Sequence, residues 1–81
     1  MKIEVLGTGC AKCKTLEKIV KDAVAQIGGF HSVEKVEDIQ KIMDYGVMNT
    51  PALVVEGEVK STGKVLSKDE VIAILENSAK S

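Results

Sequence analysis

The sequence contains no tryptophan and only one tyrosine (Tyr45), one phenylalanine (Phe30), one histidine (His31) and one proline (Pro51). With so few aromatic rings and a net charge of −1, it has neither the stacking surfaces nor the cationic field on which nucleic-acid binding depends. No apolar run approaches the roughly 18–20 residues of a membrane span, so no membrane partner is expected. A charge at Lys2, ahead of the first apolar run, leaves no signal-peptide pattern. Two cysteines are too few for a disulfide framework. Two thiols with one histidine also fall short of the four ligands of a structural zinc site, so no cofactor and no resident metal are expected. The compartment that fits is the reducing cytoplasm, where a lone Cys-x-x-Cys is catalytic or metal-binding rather than a structural staple. A monomer is expected.

The 81 residues, 44% hydrophobic and 28% charged, suit one small domain over 1–81 with a single sheet-and-helix core. Both cysteines fall in Gly7-Thr8-Gly9-Cys10-Ala11-Lys12-Cys13, between an extended run (Lys2 to Leu6) and a helical one. Apolar residues at Cys13, Leu16, Ile19, Val20, Ala23, Val24 and Ile27 have the spacing of an amphipathic helix. Cys13 lies on that stripe and turns toward the core. Cys10 precedes the first full turn, where unpaired N–H groups and the positive end of the helix dipole stabilise a thiolate. Lys12 and Lys14 add positive charge there. Residues i and i+3 of a helical turn have Cα atoms about 5–6 Å apart, within disulfide reach. The pattern therefore predicts an exposed attacking thiol at Cys10 and a recessed resolving thiol at Cys13.

Gly28-Gly29 ends the helix, and Phe30 to Val36 reads as a second strand, parallel to the first through a right-handed crossover. Asp38 to Tyr45 reads as a short helix with Ile39, Ile42 and Met43 as its apolar edge, stopped by Gly46. Ala52 to Val55, after Pro51, is a continuous apolar run that suits a central strand. Glu56-Gly57-Glu58 marks a tight hairpin into a polar edge strand, Val59 to Thr62. Ser67 with Glu70 forms a capping-box pattern opening a last helix with Val71, Ile72, Ile74 and Leu75 inward. The polar tail 77–81 is expected to fray. The order is β-α-β-α-β-β-α.

On these residues alone the cysteine pair is open to redox exchange, to a soft metal such as Cu(I), or to burial as plain core. His31 reads as surface or structural, and Met43 and Met48 as core filling. Thr50-Pro51 reads as a strand opening, where a missing donor is tolerated.

Taken together, the run Tyr45-Gly46-Val47-Met48-Asn49-Thr50-Pro51-Ala52-Leu53-Val54-Val55-Glu56-Gly57-Glu58-Val59, the following Gly63-Lys64-Val65-Leu66-Ser67-Lys68 and the Cys-x-x-Cys helix resemble the thioredoxin/glutaredoxin superfamily. The likeness is specifically to its short prokaryotic members. The resemblance implies a minimal thioredoxin-like α/β fold: a four-stranded mixed sheet in the order 2-1-3-4, with the first and third helices on one face and the second on the other. It also implies that Pro51 is cis and faces the disulfide, and that Thr50 offers its backbone to a bound peptide. Thioredoxin's Trp-Cys-Gly-Pro-Cys is here Gly9-Cys10-Ala11-Lys12-Cys13. The glutathione-holding Gly-Gly and acidic pair of glutaredoxins is replaced by Ser61-Thr62-Gly63-Lys64, which favours a dithiol or reductase protein as electron donor.

The expected function is thiol–disulfide exchange on protein disulfides, with Cys10 and Cys13 catalytic and Thr50 and Pro51 binding substrate. The alternatives are a soft-metal carrier of the heavy-metal-associated type and a non-catalytic interaction module on the same fold. Such carriers run β-α-β-β-α-β, whereas this chain closes on a helix.

Overall fold

The computed structural model describes residues 1–9, 11–29 and 31–80, and the side chains of all of these except 79 and 80. Cys10, Phe30 and residue 81 therefore lie outside the described residues. The elements are β1 (Lys2–Leu6), α1 (Ala11–Ile27), β2 (Ser32–Val36), α2 (Ile39–Asp44), β3 (Ala52–Val55), β4 (Glu58–Thr62) and α3 (Lys68–Lys80). This is the expected order, and it differs from that of the metal-carrier fold.

The four strands form one sheet in the order β2-β1-β3-β4. β1 runs parallel to β2, with Lys2 opposite Ser32 and Leu6 opposite Val36. It runs antiparallel to β3, with Ile3 opposite Val55 and Leu6 opposite Ala52. β3 and β4 form the antiparallel hairpin, with a register shift between Leu53 and Val54. The turn residues Glu56 and Gly57 both have positive φ, as a tight two-residue hairpin turn requires.

Alternation along the strands divides the core into two layers. Ile3, Val5, Leu53 and Val55 pack with Leu16, Val20 and Ala23 of α1 and Val71 and Leu75 of α3. Leu6, Ala52 and Val54 face the other way, onto Ile42 and Val47. The first and third helices therefore share one face of the sheet, and α2 covers the other. Full burial of each large aliphatic side chain contributes about 1.5–3 kcal/mol, and Ile3, Leu16, Leu53 and Leu75 are all fully buried.

The helix ends follow their local signals. Asp38 caps α2 by accepting from the Gln40 N–H at 2.9 Å. At α3 the capping box closes in both directions: Ser67 N–H donates to Glu70 at 3.1 Å and Glu70 N–H donates to the Ser67 hydroxyl at 3.2 Å. α3 continues past Asn77, where the sequence suggests the packed helix ends, to Lys80.

One expectation about α2 fails. Met43 and Met48, taken as core, are 63% and 94% exposed, and Ile39 is 62% exposed. α2 has only six residues, under two turns at 3.6 residues per turn. It presents a single side chain, Ile42, squarely to the sheet, and Val47 fills the adjoining space.

Candidate functional site

The site lies at the C-terminal end of β1, the end of a strand where α/β folds place their ligands. The β1–β2 ladder extends one residue past β1 through the Gly7 N–H, which donates to Val36 C=O at 2.9 Å. The chain then turns at Thr8-Gly9, with Gly9 at φ +85°, and enters α1. Cys13 is the third residue of that helix and is fully buried, as its place on the apolar stripe predicts.

Gly7 is where backbone and sulfur meet. A Cβ built at Gly7 would overlap Cys13 Sγ, stand 3.0 Å from Cys13 Cβ and lie 3.9 Å from Thr50 Cβ. Position 7 therefore has to be glycine for reasons of space, and both Cys13 and Thr50 of the proline loop come close to it. The close approach was not evident in the sequence; the only signal was a glycine between strand and Cys-x-x-Cys.

The proline loop is held from both sides. The Thr50–Pro51 bond is cis, Pro51 is buried while Thr50 is exposed, and Pro51 C=O accepts from the Gly63 N–H at 2.8 Å. A Cβ at Gly63 would come within 3.2 Å of Asn49 Cβ, so the β4 end packs closely on the residues preceding the proline. Among the predicted site residues, the fold thus brings Cys13, Thr50 and Pro51 together, while Cys10 lies outside the described residues.

The charges around α1 are arranged differently from those around α3. The first turn of α3 carries Asp69 and Glu70, which complement the helix dipole. α1 has no acid in its first turn and carries Lys12 and Lys14 there instead. Cations at a helix N-terminus oppose the dipole by about 0.3–1 kcal/mol each. The same placement adds positive charge to that end of the helix. Across the loop, Glu37 Oε2 would stand 3.8 Å from a Cβ at Gly9, and Glu37 is paired with Lys35 Nζ at 3.2 Å. The hydrogen bond and charge of Glu37 raise the Lys35 ammonium above its ordinary pKa.

Beside Thr50 runs an apolar groove of about 310 Å³ lined by Thr8, Ile39, Ile42, Met43, Val47, Met48 and Thr50. A larger depression, about 470 Å³, is bordered by Met1, Gly29, His31 and Ser32 at the other end of the sheet. It is more open and holds neither the cysteines nor the proline loop, so the smaller groove is the one that belongs to the site. His31 takes a structural role there: its Nε2 donates to Gly28 C=O at 2.8 Å, and its Nδ1 faces the Met1 amine at 3.4 Å.

A buried carboxylate lies on the α2 face of the sheet. Glu4, in the middle of β1, is 7% exposed and accepts a 2.7 Å hydrogen bond from the Tyr45 hydroxyl. That bond, with burial and the carboxylate charge, holds the phenol above its ordinary pKa. The sequence showed Glu4 only as one acid inside an apolar strand.

The thioredoxin domain family model matches residues 1–76. The chain belongs to the thioredoxin domain family. A protein named Thioredoxin from Methanothermobacter thermautotrophicus is 43% identical over 75 residues, covering 93% of this chain and 97% of that one. Two proteins named Thioredoxin from Methanocaldococcus jannaschii are similar at 33% identity, over 85% of this chain and 79% of the relative, and at 30%, over 91% and 92%. The α/β architecture is the minimal thioredoxin-like fold, and a thioredoxin-like redox function in the thiol–disulfide oxidoreductase class follows from the family. Among the described residues, no helix is long and apolar enough to cross a membrane.

Proposed function

We propose that the chain reduces protein disulfides through Cys10 and Cys13. Cys10, as thiolate, attacks one sulfur of a substrate disulfide; a Cys10–substrate S–S bond forms beside Pro51, and the other substrate sulfur leaves as thiolate. Cys13 loses its proton and attacks Cys10 Sγ. The bond between Cys10 and the substrate sulfur it attacked breaks, that sulfur departs as thiolate, and the Cys10–Cys13 disulfide that forms stays until a dithiol or reductase protein supplies the two electrons that reduce it. The observation that carries this reading is the seating of Cys13 Sγ against Gly7, with Thr50 Cβ 3.9 Å from where a Cβ on that glycine would stand. A recessed resolving thiol beside the proline loop is the arrangement that the second step needs.

The test is turnover of a protein disulfide, such as insulin's, with a dithiol as terminal reductant. Wild-type protein should accelerate the reduction, and Cys10→Ser should not. Equal rates for the two proteins would remove the proposal.

A further inference from the structure

The two methionines that the core does not use carry a second reading. Met43 and Met48 stand 63% and 94% exposed, and both line the groove that runs between Thr8 and Thr50. Exposed thioethers are adaptable apolar contacts, and a hydroperoxide converts them to polar sulfoxides. We propose that Met43 and Met48 form a peroxide-sensitive modification site, at which sulfoxide formation turns the groove polar and blocks docking of the substrate polypeptide while leaving the thiol pair intact.

This rests on the disulfide-reductase reading above. The occupant of the groove is the stretch of polypeptide flanking the substrate disulfide. The groove is continuous with Thr50, next to the proposed mixed disulfide, and Ile39, Ile42 and Val47 complete an apolar lining. An apolar residue near the substrate cysteine would fill it. In the modification step the peroxide O–O bond breaks and an S=O bond forms. The thioether sulfur is oxidised by two electrons, and the peroxide is reduced to water or an alcohol. Met1 provides an internal comparison, because it is only partly exposed and packs against the core.

In the test, the thiols are first closed as the disulfide, the protein is treated with hydrogen peroxide, and dithiothreitol then restores the thiols. Sulfoxides survive this step because their reversal takes a dedicated reductase. Peptide mapping should find the added oxygen at Met48 and Met43 ahead of Met1. Insulin reduction should fall by about fivefold or more, while reduction of a small aromatic disulfide, which needs no groove, should stay within about twofold. In the Met43→Leu/Met48→Leu protein, the ratio of insulin rates after and before peroxide should stay near one. Oxygen entering Met1 as fast as Met48, or an oxidised protein that reduces insulin at the untreated rate, would overturn the proposal. An untreated protein inactive toward insulin would instead overturn the reductase reading, and this proposal with it.

Discussion

Replacing Gly7 with alanine tests the central packing contact of the site. Unlike Gly9, Gly7 is not among the residues with positive φ, so alanine meets no backbone penalty and its effect is purely steric. The new methyl would overlap Cys13 Sγ and stand 3.0 Å from Cys13 Cβ, whereas Thr50 Cβ, at 3.9 Å, is an ordinary neighbour. Cys13 is fully buried and cannot swing into solvent, so the strain goes into the α1–β1 packing. Overpacking of this kind costs about 1–3 kcal/mol, and at about 4–8 °C per kcal/mol for a domain of this size Tm should fall by roughly 4–24 °C. The decisive assay is a double-mutant cycle by urea unfolding with Gly7→Ala, Cys13→Ala and both together. Cys13→Ala removes the sulfur and makes room for the new methyl. The double variant should therefore be more stable than the sum of the singles predicts, with a coupling of about 0.5–3 kcal/mol. A Gly7→Ala protein as stable as wild type, or a cycle with no coupling, would refute the reasoning.

Two further outcomes follow from the hydrogen bonds. The Glu4 hydrogen bond raises the Tyr45 pKa from 10.0, so its stability contribution is fully present below pH 10 and is lost as pH rises through the raised value. Tyr45→Phe, which strands the Glu4 carboxylate, should cost about 1–3 kcal/mol at pH 7, with a gap to wild type that narrows in alkaline chemical denaturation; a gap independent of pH would contradict the assignment. The Glu70 carboxyl is held below its ordinary 4.5, chiefly by the Ser67 backbone N–H and then by the Ser67 hydroxyl. Its contribution is therefore present above pH 4.5 and lost as pH falls through the lowered value. Glu70→Gln should flatten the acid limb of the thermal stability profile, and an unchanged limb would exclude the capping box as its source.

Most of the architecture was legible because each element carries its own local signal. Alternation and apolar runs mark β1 and β3, the 3.6-residue stripe marks α1, and Ser67 with Glu70 marks the start of α3. α2 was misread in its packing because periodicity identifies a helical face but not how much of it a sheet covers. In a six-residue helix Met43 and Ile39 turn away toward the groove. The Glu4–Tyr45 bond and the Gly7–Cys13 contact join residues distant in sequence or separated by a turn, and no local pattern encodes such pairings. Cys13, Thr50 and Pro51 come together because the β2-β1-β3 strand order sets the end of β1 beside the start of β3.

The most direct test of the redox account is the Cys13→Ser protein incubated with a disulfide-bonded substrate and resolved by non-reducing mass spectrometry. Without the resolving thiol the exchange should halt halfway and leave a stable adduct mapped to Cys10. No adduct at Cys10, while the Cys10→Ser protein instead captures substrate on Cys13, would contradict the assignment of the two thiols.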